Sequence, residues 1–176
     1  MKRGKVKGFT DGSRRRMLEK VNCVDQSKIV GCLWVSMTAP GLKWADVERH
    51  RDTWFKRFER KYKGREWSAM WRKEAHPGRG RNAGLPHLHV LIPFFDGEVS
   101  ILEFRQWNDD AWSAIVGMPE IAKTCCSSEW LRSWNAAAVY TAKYSAKVEE
   151  VKEGEAVEGR DRKSTRLNSS HLVISY

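Results

Sequence analysis

The sequence predicts an α+β fold, in which an antiparallel β-sheet carries helices packed on one of its faces. Two kinds of apolar periodicity lead to this prediction. Period-two patterns and short apolar runs closed by turns predict strands at 29–38, 66–74 and 87–94. Between the first two strands, residues 43–62 repeat apolar side chains at spacings of three, four and seven, which is typical of an amphipathic helix. The turn-rich segment 75–82 joins the second and third strands, so we expect those strands to form a hairpin.

The first strand and the first helix have recognisable ends. The apolar run IVGCLWVSMT stops at Ala39-Pro40-Gly41, a turn sequence that ends a buried strand. The helix that follows has a basic outer face and is expected to end near Gly64, because glycine commonly follows the last helical turn.

Three further elements complete the predicted order. The segment EFRQWNDDAWSAIV at 103–116 predicts a second helix, and a strand is expected within 121–130. A last helix is predicted over 133–149, with Ser133 or Asn135 as its N-cap, because short polar side chains accept hydrogen bonds from the first free backbone N–H groups.

Composition limits the class of protein. A chain of 176 residues with 41% hydrophobic content is long enough for one domain with a true core. Its net charge of +10 favours nucleic acid as the partner. No apolar run reaches the roughly 20 residues that a membrane span needs, and the basic start of the chain lacks the apolar segment of a signal peptide. We therefore expect no membrane partner and a cytoplasmic location.

The cysteines point to the same compartment. The four cysteines show neither CxxC spacing nor the pattern of a secreted disulfide scaffold, so we expect a reducing environment and no zinc site. They are Cys23, Cys32 and the adjacent pair Cys125 and Cys126.

The chain divides into four segments. We expect residues 1–28 to form a basic arm that is flexible or partly ordered, 29–150 to form the folded domain, and 151–160 to form a polar linker. Residues 161–176 resemble a translated short-read sequencing adapter, so we exclude them from functional reasoning; a natural tail is the alternative. They hold three basic residues and one acidic residue, so the remaining chain still carries +8. The natural reading frame could then extend past Arg160.

A metal-binding pattern lies in the third strand, within GLPHLHVLIPF. Alternation places His87 and His89 on one face of the strand, while Leu88, Val90 and the later apolar residues face the core. Glu74 occupies the corresponding polar face of the preceding strand. Two imidazoles and a carboxylate form a donor set for a divalent cation, Mn²⁺ or Mg²⁺. The alternative is a pair of partly exposed histidines on a sheet without a metal.

The last predicted helix carries the sequence YTAKYSAK. Tyr140 and Tyr144 are four residues apart, so both phenols lie on one helix face, and Lys143 and Lys147 repeat the same step beside them. An aromatic pair at this spacing often packs into a core, and lysines often form a solvated helix face, so both structural interpretations stand beside a chemical one.

Taken in order, three motifs resemble those of the HUH endonucleases, and specifically the rolling-circle replication initiators of small single-stranded DNA phages and related plasmids. These are LWVSMT at 33–38, PHLHV at 86–90 and YTAKYSAK at 140–147. The resemblance covers about residues 29–149. One departure concerns Glu74, which precedes the histidines by a longer loop than in similar initiators, so His76 is a second candidate for the third ligand.

The resemblance implies an HUH nuclease fold with a ferredoxin-like palm and a nicking and rejoining activity on single-stranded DNA. Either tyrosine would be the nucleophile, through a 5′-phosphotyrosine bond, and the two lysines would assist. The cation would be held by His87, His89 and Glu74. The expected partners are single-stranded DNA at a replication origin and a host helicase. An HUH-type transposase and a non-catalytic single-strand-binding module are the alternatives.

Overall fold

The computed structural model describes residues 24–76, 83–134 and 171–175, together with positions 15 and 19. Most of the predicted arm at 1–28, the predicted helix beyond Trp134 and the linker at 151–160 lie outside the described residues. The helices and strands follow in the order β1 (Gly31–Met37), α1 (Trp44–Lys61), β2 (Trp67–Ala75), β3 (Pro86–Phe94), α2 (Ile101–Val116), β4 (Cys126–Leu131) and β5 (His171–Ser175).

One sheet organises the fold, with the strand order β4-β1-β3-β2-β5. The four strands from β4 to β2 are antiparallel to their neighbours, and β5 runs parallel to β2. The predicted antiparallel sheet and the β2–β3 hairpin are therefore confirmed. β5 belongs to the segment whose sequence resembles an adapter, and we assign it no part in the functional site.

The predicted core face of the sheet is also confirmed. Leu88, Val90, Ile92 and Phe94 of β3 are at most 1% exposed and pack with the apolar faces of both helices. Trp54 of α1 is fully buried, as was expected from the helical period. Its indole Nε1 donates to Asn108 Oδ1 of α2 at 2.8 Å, which joins the two helices through a buried polar contact.

The ends of β1, α1, β2, β3 and α2 lie within two residues of the predicted bounds. The helix α2 begins at Ile101 rather than at 103, because Ser100 is its N-cap and accepts a hydrogen bond from the backbone N–H of Glu103. The strand expected within 121–130 is β4, which occupies Cys126–Leu131, and residues Pro119–Ile121 before it form a 3-10 turn. Neither helix in the described ranges is both long and apolar enough to cross a membrane.

Candidate metal centre

The pleat of β3 places two histidines on the sheet face opposite α1 and α2. In the register of the sheet, His87 is paired with Glu74 of β2, and His89 lies between Arg72 of β2 and Ser36 of β1. Residues that are directly opposite in neighbouring strands point to the same side of a sheet. The structure therefore brings together the three residues that the sequence predicted as metal ligands.

His89 sits in a buried chain of hydrogen-bonding groups. Its Nε2 lies 2.9 Å from Glu74 Oε1, and its Nδ1 lies 2.8 Å from Ser36 Oγ. Both His89 and Glu74 are nearly inaccessible, at 6% and 5% exposed. An ionised carboxylate can only accept, so in a neutral His89 ring Nε2 donates to Glu74 and Nδ1 accepts from the serine hydroxyl. The ring orientation is thereby fixed from both sides.

His87 is held differently, with its ring half-buried between two other imidazoles. The ring centroids lie 4.4 Å from His89 and 5.1 Å from His76. Burial lowers the pKa of His87 to about 4, and the two neighbouring histidines reinforce the shift. Its buried Nδ1 has no hydrogen-bond partner within the part of the chain that the structure describes. At neutral pH this ring is uncharged, which is the form that can bind a cation.

Charged and aromatic neighbours surround Glu74 and His89. Arg72 Nε lies 3.8 Å from Glu74 Oε2, so a cationic side chain faces the carboxylate. Trp34 of β1 stacks on the His89 ring with a centroid distance of 5.2 Å and an angle of 25° between the planes. The sequence interpretation included β1 as a first motif but gave no role to Ser36 or Trp34, because only the sheet register brings them to His89.

The donor set fits a divalent cation in chemical type. Two neutral imidazoles and a carboxylate suit Mn²⁺ well and Mg²⁺ less well, and the buried His87 Nδ1 is a polar atom to which a cation would give a partner. His89 Nε2 and Glu74 Oε1 are in direct contact, so a cation bound by both would replace their hydrogen bond. A different group of three side chains among the described residues has donor atoms that all lie within 4.8 Å of one another: Asp109, Cys125 and Cys126.

The other half of the predicted site lies outside the described residues. This half consists of the residues of the YTAKYSAK motif: Tyr140, Lys143, Tyr144 and Lys147. The roles assigned to these side chains therefore stay predictions. His76, the second candidate for the third ligand, contacts the His87 ring edge to face.

The chain matches no family model, no curated protein and no solved structure.

Proposed function

We propose that the protein is a metal-dependent endonuclease of the HUH type, which nicks and rejoins single-stranded DNA to initiate rolling-circle replication of a phage or plasmid. The observation that carries the proposal is the meeting of Glu74, His87 and His89 on one face of an antiparallel sheet. In the chain, these residues precede a segment with two tyrosines and two lysines at helical spacing. A histidine pair alone is common; the combination with YTAKYSAK is much more specific.

The charge of the protein supports a polyanionic substrate. The net charge is +10 for the whole chain and +8 without residues 161–176, and a basic protein gains affinity for DNA by releasing the counterions bound to phosphates. This contribution is independent of base sequence, so the origin sequence must be selected by other contacts.

His87, His89 and Glu74 would hold Mn²⁺ or Mg²⁺, and the bound cation would supply Lewis-acid polarisation of the scissile phosphate. The chain prepares these ligands before the cation arrives. The depressed pKa of His87 keeps its ring neutral at physiological pH, and the Ser36 hydroxyl fixes the orientation of the His89 ring. Hydrogen bonds that orient a metal-ligating side chain, such as the one from Ser36, typically raise the metal affinity of a site about 10–100-fold.

Tyr140 or Tyr144 supplies the nucleophile in this proposal. A phenolate oxygen attacks phosphorus, the bond from phosphorus to the 3′ oxygen breaks, and the departing oxygen takes up a proton to give a free 3′ hydroxyl. The DNA is then attached to the protein through a 5′-phosphotyrosine bond, and attack by a 3′ hydroxyl on that bond rejoins the strand. Because an ordinary tyrosine has a pKa of about 10, a nearby cation must favour the phenolate, and Lys143 is the candidate, with Lys147 in a weaker role.

The second tyrosine would allow a second cleavage while the first strand end is still attached to the protein. A replication initiator needs this step, because it must release one complete circle and keep the new end. Both tyrosines lie outside the described residues, so the support for this step comes from their spacing in the sequence.

The proposal is tested by incubating the protein with a labelled pool of single-stranded oligonucleotides and Mn²⁺ and by sequencing the ends that are produced. Wild type should produce discrete nicks, and His87→Ala or His89→Ala should abolish them. The matched control is His50→Ala, which changes a half-buried histidine of α1 that contacts Trp112 instead of Glu74. Normal nicking by both His87→Ala and His89→Ala would contradict the assignment of the site.

Two other outcomes distinguish the alternatives. Tight binding of single strands without nicking in any divalent cation would favour a non-catalytic binding module. Nicking and joining at the ends of a mobile element, rather than at an origin, would favour an HUH-type transposase.

A further inference from the structure

A second group of metal-binding side chains lies on the other side of the sheet, where α2 approaches the start of β4. Asp109 extends from the middle of α2, and Cys125 and Cys126 stand where the chain enters β4. One donor atom from each of the three residues lies within 4.8 Å of the other two. The two Sγ atoms are 3.6 Å apart, which is far longer than the 2.03–2.05 Å of a disulfide bond.

From this geometry we infer that Asp109, Cys125 and Cys126 bind one thiophilic divalent cation, with Zn²⁺ as the physiological choice. Zinc binds thiolates at about 2.3 Å in a tetrahedral arrangement, so two thiolates on one zinc are separated by about 3.8 Å. The observed Sγ–Sγ distance of 3.6 Å is close to that tetrahedral edge. A carboxylate as third ligand would leave the fourth position for a water molecule or another ligand.

The softness of the donors separates this site from the histidine site. Thiolates select Zn²⁺, Cd²⁺ and Cu⁺, whereas the imidazole and carboxylate donors around His89 suit Mn²⁺. Two thiolates and one carboxylate carry three negative charges, so a divalent cation leaves the group with a single negative charge. The two sites would therefore take different ions.

The three side chains are at least partly shielded from solvent, so their negatively charged forms need a positive counter-charge nearby. Cys125 is 4% exposed, while Asp109 and Cys126 are half-buried. Burial raises the pKa of Asp109, and the hydrogen bond with Cys125 together with burial raises the pKa of the Cys126 thiol. A bound cation would favour the deprotonated form of both groups, and binding would release protons.

The position of the group explains what the cation would do for the fold. The backbone carbonyl of Cys125 accepts a hydrogen bond from Thr38 N at 2.9 Å, at the end of β1. Thr38 Oγ1 donates to the carbonyl of Pro86 at 3.2 Å, and Pro86 directly precedes His87. A cation that fixes Cys125 would thus stabilise the end of the sheet from which the histidine ligands extend.

The test is a Cd²⁺ titration of the full chain, monitored by the ultraviolet charge-transfer absorbance of cadmium thiolates, in a phosphine reductant. A Cys23→Ala, Cys32→Ala background leaves the adjacent pair as the only thiols, since the chain has four cysteines. We expect saturation at one Cd²⁺ per chain and displacement by Zn²⁺. Either Cys125→Ser or Cys126→Ser should remove the band, and Asp109→Asn should weaken binding at least about 100-fold, because even an indirect ligand contact is worth 10–100-fold.

The matched control is Asp110→Asn, which changes an exposed carboxylate one residue away and should leave the titration unchanged. If the double background does not fold, the same single serine variants are compared in the wild-type chain. No thiolate band in wild type, or an undiminished band in Cys126→Ser, would overturn the inference. The readout involves no DNA, so its failure is distinguishable from failure of the nicking proposal.

Discussion

Replacing Glu74 by glutamine tests how the carboxylate supports both the fold and the metal site. The side chain is 5% exposed, its Oε1 lies 2.9 Å from His89 Nε2, and its Oε2 lies 3.8 Å from Arg72 Nε. Glutamine has nearly the same shape but carries no charge, so Glu74→Gln changes the electrostatics while leaving the packing intact.

The expected loss of stability follows from these contacts. A hydrogen bond to a charged group contributes about 1.5–3 kcal/mol and a neutral one about 0.5–1.5 kcal/mol, so the change at His89 alone costs roughly 1 kcal/mol. Breaking a buried ion pair costs about 3–5 kcal/mol, but the amide still hydrogen-bonds and Arg72 keeps other interactions. We therefore expect the free energy of unfolding to fall by about 1–3 kcal/mol.

The metal contributes a second, separable effect. A ligand at 100 times its Kd stabilises the native state by about 2.7 kcal/mol, and each tenfold loss of affinity removes about 1.4 kcal/mol of that stabilisation. Urea unfolding, followed by tryptophan fluorescence at pH 7 first with a chelator and then with Mn²⁺, measures both effects. Wild type should gain stability with Mn²⁺, and Glu74→Gln should gain less.

The matched control is Glu129→Gln, which neutralises an exposed carboxylate on β4 of the same sheet. It should change neither the free energy of unfolding nor the stability gained with Mn²⁺. A free energy of unfolding for Glu74→Gln within about 0.5 kcal/mol of wild type, together with the same gain in stability on adding Mn²⁺, would refute the role of this carboxylate. Surface substitutions away from special features usually fall in that range.

Three further predictions concern the surroundings of the site and the core. Burial lowers the pKa of His87 from an ordinary 6.5 to about 4 in the folded protein, so the stability it contributes is present above about pH 6.5 and is lost as the pH falls toward 4. Urea unfolding across that range should show that the free energy of unfolding of His87→Asn depends less on pH than that of wild type. An equal dependence in both proteins would contradict the lowered pKa. Ser36→Ala removes the 2.8 Å contact to His89 Nδ1 and should weaken Mn²⁺ binding about 10–100-fold by calorimetry, whereas unchanged affinity would exclude a positioning role. Asn108→Ala leaves the buried Trp54 Nε1 without its acceptor and should cost about 1–3 kcal/mol in urea unfolding. The same substitution should cost less in a Trp54→Phe background, which lacks the donor, and an equal cost in both backgrounds would contradict the role of this contact.

The core face of the sheet could be predicted because period-two alternation assigns each strand residue to one of two faces. Leu88, Val90 and Ile92 were placed in the core by that rule, and they are buried there. The same rule placed His87 and His89 together on the opposite face, which the register confirms.

The surroundings of the histidines could not be predicted in the same way. Trp34 and Leu91 share the histidine face and are 7% and 2% exposed, and His89 is itself buried, so the alternative of two partly exposed histidines describes only His87. Contacts between residues on non-adjacent parts of the chain leave no local period in the sequence. The approach of Asp109 to Cys125 and Cys126 is of this kind, because Asp109 lies in α2 and the two cysteines lie at the start of β4.

The central claim is tested most directly by the covalent bond between the protein and DNA. Wild type and the double variant Tyr140→Phe, Tyr144→Phe are incubated with Mn²⁺ and an intact single-stranded oligonucleotide that contains the cleavage site. The products are separated on a denaturing gel, and the residue attached to DNA is identified by mass spectrometry. Phenylalanine keeps each ring and removes only the hydroxyl, so the fold should persist while the nucleophile is lost. The account predicts a 5′-phosphotyrosine adduct in wild type and none in the double variant. An adduct that persists in the double variant, or no adduct in wild type with any divalent cation, would contradict it.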